Sequence, residues 1–147
     1  TIIVGTYFKR AKQGVLTSLE HDEEYAKKWR KLIQERGLDN YVHVVYTPLK
    51  RQCIGNENWI WYDITSIENS LHFDFAIIDG PPQQIQKLSR YPFFCVLGDK
   101  VISGSRVLLD DASRPDEQEI VEKWKNEKLI SDASFVSCEK GAAIITV

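Results

Sequence analysis

Apolar residues recur along the chain with two different periods, and these periods predict helices and strands that follow one another. Apolar residues at i, i+4 and i+7 predict an amphipathic helix, and short continuous apolar runs predict buried strands. The first half contains, in order, segments with the patterns of a helix over 1–12, a strand over 15–19, a helix over 23–37 and a strand over 41–46. The second half contains a strand over 73–78, a helix over 91–97, a strand over 106–109, a helix over 115–124, and two strands over 134–137 and 142–147. Residues 50–71 show no firm period, so no element is predicted there.

Capping residues and turns support these boundaries. Asp22 or His21 can cap the helix over 23–37, and Ser113 is expected to cap the later helix, with Pro115 in its first turn. A tight turn over 139–141 makes the last two strands antiparallel, whereas strands that are separated by helices pair in parallel. The sequence therefore predicts an α/β fold with a mostly parallel open sheet and an antiparallel C-terminal strand.

Composition and charge exclude several classes of function. The 147 residues carry 19 Lys and Arg against 21 Asp and Glu, without a basic stripe, so nucleic-acid binding is not expected. The apolar runs are far shorter than the ~20 residues that a membrane span needs, and the N-terminal residues do not resemble a signal peptide. Three widely spaced cysteines fit a reducing compartment, and we expect a cytoplasmic protein. The length predicts a single domain over 1–147.

Carboxylates follow three of the predicted strands. Glu20 ends the strand over 15–19, Asp79 follows the strand over 73–78, and Asp110 and Asp111 follow the strand over 106–109. Each acid could simply cap the next helix. Ligands of parallel sheets bind outside the carboxyl ends of the strands, however, so acids at several equivalent ends predict a common cleft. Glu20 is suited to accept hydrogen bonds from the ribose hydroxyls of a nucleoside cofactor, NAD included.

The order of these motifs resembles that of class I S-adenosylmethionine (SAM)-dependent methyltransferases, and within them the small-molecule O-methyltransferases. The resemblance rests on LEHD at 19–22, GLDN at 37–40, FDFAIIDGPP at 73–82, SRVLLDDASRP at 105–115 and the final antiparallel hairpin. It implies a Rossmann-like sheet with helices on both faces. The family's first strand and glycine-rich loop have no counterpart, since neither Gly5 nor Gly14 has the required spacing. The chain also contains no methionine, so we expect the domain to be N-terminally incomplete.

The resemblance implies a role for individual residues. Those expected to bind the cofactor SAM are Glu20, His21, Asp22, Thr47, Pro48, Leu49, Asp79 and Gly80. Those expected to face the acceptor are Pro81, Asp110, Asp111 and Arg114. Asp111 and Asp79 are the expected catalytic bases, ahead of His21. In the catechol O-methyltransferase-like branch, acids at the positions of Asp79, Asp110 and Asp111 bind a divalent metal, which makes Mg²⁺ a candidate here.

The expected partner is a small-molecule acceptor, and a homodimer is the candidate assembly. Three other interpretations were compared. A phosphoryl-accepting receiver domain has its acidic pair before the acceptor Asp, which is the reverse of the order here. An NAD-dependent dehydrogenase would share Glu20 but needs a longer chain. A methyltransferase-like domain that serves binding or assembly without catalysis is the main alternative.

Overall fold

A computed structural model describes residues 1–67 and 70–147. Its contacts fall into two compact units. The first unit comprises residues 1–50 and 62–66, and the second comprises residues 51–61 and 67–147.

The first unit is built around two parallel strands and two helices. They are α1 (Ile2–Ala11), β1 (Leu16–Glu20), α2 (Glu23–Glu35) and β2 (Val42–Tyr46). Strands β1 and β2 pair from Leu16 opposite Val42 to Glu20 opposite Tyr46. Asp22 is the N-cap of α2, as predicted, and its Oδ1 accepts a hydrogen bond of 2.9 Å from the Tyr25 amide.

In the first unit, the buried faces of the helices are not the faces that the apolar pattern of the sequence suggests. The buried residues are Ala26, Ile33, Leu38, Val42 and Val44, with Trp29 packed partly against them. Tyr25, Ile3 and Tyr7, which define the apparent apolar stripes of α2 and α1, are exposed. Helix α1 instead turns Gly5 inward, where a Cβ atom would collide with Val42. A small residue therefore sets the close approach of this helix to β2.

A β-hairpin occupies most of the segment for which the sequence predicted nothing. Its strands are β3 (Leu49–Ile54) and β4 (Glu57–Tyr62), with Gly55 at φ +59° in the turn. Trp59 and Trp61 are buried at alternate positions of β4. This period of two is a strand signal, but it is too short to stand out from the polar residues around it. A short 3₁₀ turn at Ile64–Ser66 follows.

The second unit contains a four-stranded sheet. Its elements are β5 (Phe73–Ile78), α3 (Pro92–Leu97), a 3₁₀ turn (Gly98–Lys100), β6 (Val101–Asp110), α4 (Pro115–Asn126), β7 (Asp132–Val136) and β8 (Ala142–Thr146). The strand order is β5-β6-β8-β7. Strands β5 and β6 are parallel, and the last strand, β8, runs antiparallel to both of its neighbours. Strand β6 begins five residues before the predicted Arg106, because the predicted strand covered only its apolar end.

The core of this unit lies between one face of the sheet and the helices. Its fully buried apolar side chains include Val107, Leu109, Ile120, Val121, Trp124 and Ile145. Pro115 begins α4, as predicted. The predicted cap was wrong: Arg114 is the N-cap residue, and its side chain does not bond the helix amides. The Ser113 amide is used elsewhere, since it donates to the Lys140 carbonyl oxygen at 3.0 Å.

The predicted fold class is confirmed: helices and strands are mixed along the chain, the pairs β1–β2 and β5–β6 are parallel, and the C-terminal strand is antiparallel. None of the helices in the described part of the chain is long and apolar enough to span a membrane.

Candidate functional site

The first unit presents one carboxylate at the end of a parallel strand. Glu20 is the last residue of β1, and its side chain is 22% exposed. Its Oε1 accepts a hydrogen bond of 3.0 Å from the Asp22 amide and lies 3.2 Å from Nδ1 of His21. The His21 ring stands edge-on to Tyr62, with 6.3 Å between ring centroids. These contacts hold the carboxylate at the carboxyl end of β1.

The residues after β2 contribute to the same strand end in different ways. Thr47 is fully buried, and its amide donates to the Glu20 carbonyl oxygen at 2.8 Å, so it continues the β1–β2 ladder by one bond. Pro48 is exposed, and Leu49 is half-buried. Pro48 also accepts a hydrogen bond of 2.8 Å from the Asp63 amide. Pro48 and Leu49 can therefore touch a ligand, whereas Thr47 supports Glu20 from behind.

The second unit brings three carboxylates together. Asp79 follows β5, Asp110 ends β6, and Asp111 comes next; one oxygen from each lies within 4.8 Å of the others. We call these three residues the acidic cluster. The Asp79 side chain is 73% exposed, whereas that of Asp111 is only 7% exposed. The sequence predicted a common cleft for these acids together with Glu20, which belongs to the first unit. The convergence of the three acids of the second unit is visible only in the structure.

A buried arginine lies directly behind the acidic cluster. Arg90 is 2% exposed. Its guanidinium donates to the carbonyl oxygens of Asp110 and Asp79, at 2.7 Å and 2.8 Å, and to Oδ2 of Asp111 at 3.2 Å. Its Nη1 also lies 3.3 Å from Oε1 of Glu117, a buried residue of α4. A buried arginine requires such partners, because an unpaired charge is very costly in the interior.

Two further cations contact Asp111. Nη2 of Arg114 lies 2.8 Å from Oδ2 of Asp111, and Nζ of Lys140 lies 3.9 Å from Oδ1. Arg114, predicted to face the acceptor, is thus engaged with the acidic cluster through Asp111. Its other nitrogen is 3.9 Å from Glu117. Two guanidinium groups therefore neutralise most of the charge of Asp111 and Glu117, so that Asp79 and Asp110 carry the exposed negative charge.

The backbone after β6 adopts a special conformation. Asp111 has φ +56°, a left-handed value that Asp tolerates better than most residues. Its amide donates to Oδ1 of Asp110 at 2.9 Å. The Ala112 amide donates to the Gly141 carbonyl oxygen at 3.0 Å, and Gly141, at φ +70°, approaches Ser113 so closely that a Cβ atom would collide with it. The β7–β8 turn therefore clamps this loop.

Burial and charge perturb two acids of the second unit. Desolvation, followed by repulsion from Asp110, raises the pKa of the Asp79 carboxyl above its ordinary value, although Arg90 opposes the shift. Desolvation likewise raises the pKa of Glu117, against the attraction of Arg90. A carboxylate with a raised pKa is a stronger proton acceptor than an ordinary one.

The segment that follows Asp79 is held by side-chain hydrogen bonds. Gly80 is half-buried and Pro81 is buried. The Pro81 carbonyl oxygen accepts a hydrogen bond of 2.9 Å from the hydroxyl of Ser89, the residue before Arg90. The segment after β5 is therefore fixed by two consecutive side chains, Ser89 and Arg90.

Comparison with solved structures identifies the fold. The chain is similar to an O-methyltransferase from Bacillus cereus in complex with SAH (S-adenosylhomocysteine), with a TM-score of 0.60, 18% identity, and coverage of 91% of this chain and 63% of that one. It is also similar to the SAH-bound methyltransferase PaMTH1 from Podospora anserina (TM-score 0.59, 13% identity, 90% and 60% coverage). A methyltransferase from Geobacter sulfurreducens gives a TM-score of 0.57 at 10% identity, with 90% and 57% coverage. The chain has the Rossmann-like α/β fold of these methyltransferase structures.

The likeness is confined to three-dimensional structure. No protein-family model and no curated protein sequence matches the chain. The chain also spans only about three fifths of the length of the structures described above, since it covers 57–63% of them. Any function proposed for this chain must therefore be argued from its own residues.

The sequence singled out the acids at the strand ends but missed the residues that hold them. Glu20 with His21 and Asp22, and Asp79 with Asp110 and Asp111, form two local clusters. Arg90 and Glu117 were not predicted. Arg90 lies in the run SRYP, where one cation beside aromatic residues looks like an exposed flank, and its partners are 11 to 27 positions away. Contacts at such separations are not visible in a periodic pattern.

Proposed function

We propose that the protein transfers a methyl group from SAM to a small-molecule acceptor. The observation that carries the proposal is the carboxylate of Glu20 at the carboxyl end of a parallel strand in a methyltransferase fold, the position from which an acid can bind a ribose. The acidic cluster supports an acceptor site in the second unit. The acceptor, the oligomeric state and the cellular compartment stay predictions.

The residues of the first unit suit a nucleoside. One oxygen of Glu20 is held by the Asp22 amide and His21, and the carboxylate has further acceptor capacity for two ribose hydroxyls. Pro48 and Leu49 supply an apolar edge for the adenine ring. Thr47 and Asp22 act indirectly, because the Thr47 amide bonds the backbone of Glu20 and the Asp22 carboxylate caps α2.

The residues of the second unit suit proton transfer and orientation. When bound, SAM supplies a methyl group on a positively charged sulfur, which is a good leaving group. Transfer of this methyl group to the acceptor atom would break the carbon–sulfur bond and leave SAH as the second product. In this proposal Asp79 takes the proton of the acceptor, because its carboxylate is exposed and its pKa is raised. Asp111, the other predicted base, is better suited to orientation, since its carboxylate is buried between two guanidinium groups.

A more specific part of this proposal is that the acidic cluster binds Mg²⁺. The acidic cluster offers oxygen donors, which Mg²⁺ prefers, and Oδ1 of Asp111 is buried without a hydrogen-bond partner among the described residues. Asp79, Asp110 and Asp111 would hold the ion, which would lower the pKa of an acceptor hydroxyl. Arg90, Arg114 and Lys140 act against tight binding because they already offset much of the charge.

The proposal is tested by calorimetric titration of the full-length protein with SAH. We expect a micromolar dissociation constant. The variant Glu20→Ala should weaken binding by about 2 kcal/mol, roughly thirtyfold, which is the scale for hydrogen bonds to a charged group. Glu35→Ala is the matched control, because Glu35 is also an acid of the first unit but lies at the far end of α2.

Three outcomes would contradict the proposal or part of it. Absence of SAH binding by the full-length protein would favour the non-catalytic alternative, a methyltransferase fold used for binding or assembly. An equal dissociation constant for Glu20→Ala and the unchanged protein would remove Glu20 from the cofactor site. A loss of affinity in Glu35→Ala of the same size would mean that charge on α2, and not the carboxylate of Glu20, controls binding.

A further inference from the structure

Arg90 makes contacts that a purely stabilising residue does not need. Its two terminal nitrogens reach two backbone carbonyl oxygens and one carboxylate oxygen within 3.2 Å. The carbonyl groups belong to Asp79 and Asp110, so the guanidinium spans two different strand ends. Arginine presents its donors in a fixed planar fork, and a flexible ammonium group cannot reproduce this geometry.

The two carbonyl groups stand at equivalent positions of a parallel pair. Ile78 of β5 lies opposite Leu109 of β6. Asp79 directly follows Ile78, and Asp110 directly follows Leu109. Directly after the last residue pair of the β5–β6 ladder, Arg90 donates hydrogen bonds to both strand ends. A side chain thereby fixes the spacing of β5 and β6 at the point where their carboxylates begin.

Arg90 also acts on the loop that carries Asp111. The left-handed backbone of Asp111 is strained for a residue with a side chain, so other contacts must hold it. Arg90 and Arg114 both bind Oδ2 of Asp111, and Oδ1 is left without a hydrogen-bond partner in the described ranges. Oδ2 of this carboxylate is thus anchored by two guanidinium groups, while Nζ of Lys140 lies 3.9 Å from the buried Oδ1.

The ion-pair network of Arg90, Asp111 and Glu117 contains buried polar atoms that lack hydrogen bonds, which is unfavourable for a network that serves stability alone. Within residues 1–67 and 70–147, Nε of Arg90 and Oε2 of Glu117 are also buried without hydrogen-bond partners. Buried ion pairs are often no more stabilising than apolar residues of the same volume, and incomplete networks are less so. Retaining buried charges beside the acidic cluster is better explained by the geometry that they impose.

We propose that Arg90 is a positioning residue, whose guanidinium joins the ends of β5 and β6 and anchors Asp111, so that the acidic cluster converges on one point. This inference rests on the proposed function for the purpose of that geometry, but the contacts themselves do not depend on it. Arg90 touches no ligand in this scheme; it acts through Asp79, Asp110 and Asp111.

The test is native-state amide hydrogen exchange of the full-length protein carrying Arg90→Lys, which keeps the charge and loses the fork. The amides of Ala112, Ser113 and Arg114 are bonded within the loop or to the β7–β8 turn and report on it directly. We expect their exchange to accelerate at least about tenfold, while amides in the centre of β8 change little. Arg30→Lys is the matched control, because Nε of Arg30 also donates to a strand carbonyl oxygen, that of Val44, at 2.9 Å.

Each outcome decides the proposal. Unchanged exchange in the loop would overturn it, and so would equal acceleration across β8, since that pattern indicates only lost stability. If Arg90→Lys does not fold, Asp111→Asn provides the same test from the other partner and should accelerate the same three amides. Because no ligand is used, failure of the unchanged protein to bind SAH would contradict the proposed function without affecting this result.

Discussion

The pairs β1–β2 and β5–β6 are both parallel and both carry acids at their carboxyl ends, Glu20 of β1 in the first pair and acids of both strands in the second. Different groups join the two strand ends in each pair, and we call this joining closure. In the first unit, the Thr47 amide bonds the Glu20 carbonyl oxygen, so the backbone continues the ladder. In the second unit, the side chain of Arg90 bonds the carbonyl groups of Asp79 and Asp110. Backbone closure leaves Glu20 partly exposed with only local neighbours. Closure by a side chain requires buried countercharges, and it gathers three acids at once.

The largest expected effect comes from removing the charge that closes the second pair. Arg90→Leu leaves Asp111 with Arg114 and the more distant Lys140, and it leaves Glu117 with only Arg114 at 3.9 Å. We therefore expect the free energy of unfolding to fall by about 3–5 kcal/mol, the scale for breaking a buried ion pair. Urea denaturation measures this change. Arg30→Leu in the first unit should cost only about 1 kcal/mol, because it removes one hydrogen bond to a carbonyl oxygen. Equal losses would mean that the two closures are energetically alike.

The next effect concerns the loop between the acidic cluster and the β7–β8 turn. Gly141→Ala adds a Cβ atom against Ser113 at a positive φ, so we expect a loss of about 2–3 kcal/mol in unfolding free energy. Gly55→Ala is the control: it has φ +59° but open space around it, so only the backbone cost of about 1 kcal/mol applies. If thermal denaturation gives the same loss for both variants, the contact with Ser113 contributes nothing.

A smaller effect tests closure by the backbone. Thr47→Val keeps the amide that bonds Glu20 and removes only a long hydroxyl contact of 3.4 Å to the same carbonyl oxygen. The expected loss of unfolding free energy is about 0.5 kcal/mol, with SAH affinity unchanged. A loss above 2 kcal/mol would show that the first pair also depends on a side chain.

The smallest effect is a difference in pH dependence between the units. Hydrogen bonds from Lys50 and Thr65 lower the pKa of Asp63 in the first unit to about 2, so its contribution to stability is present above pH ~4 and is lost as pH falls toward 2. Burial raises the pKa of Glu117 in the second unit, so its contribution is fully present below pH ~4.5 and is lost as pH rises through the folded pKa. Lys50→Met should therefore weaken the acid-side slope, and Glu117→Gln the slope above pH ~4.5. Unfolding free energies measured between pH 2 and 7 would contradict this assignment if either variant left its slope unchanged.

The parts of the molecule that were predictable are those governed by local patterns. The run FDFAII predicted β5, and of the two predicted cap residues, Asp22 and His21, Asp22 begins α2. Acids after the strands predicted a common cleft, but not the convergence of Asp79, Asp110 and Asp111. The β3–β4 hairpin was missed because its strands carry many exposed polar residues, so the alternation of Trp59 and Trp61 was too brief to outweigh them. Arg90 was missed for a different reason: its role exists only once distant strand ends are brought together.

The tryptophans provide an optical consequence of this division into units. The chain has four, of which Trp29 belongs to the first unit and Trp59, Trp61 and Trp124 belong to the second. Trp124 is fully inaccessible to solvent, with Phe94 edge-on at 4.7 Å, whereas Trp29 is only partly covered. Emission from Trp29 should lie at longer wavelength and respond more readily to soluble quenchers. Replacement of Trp29 by Phe would leave tryptophan fluorescence from the second unit alone, so that the unit with the β5–β6 pair could be observed separately without an added label.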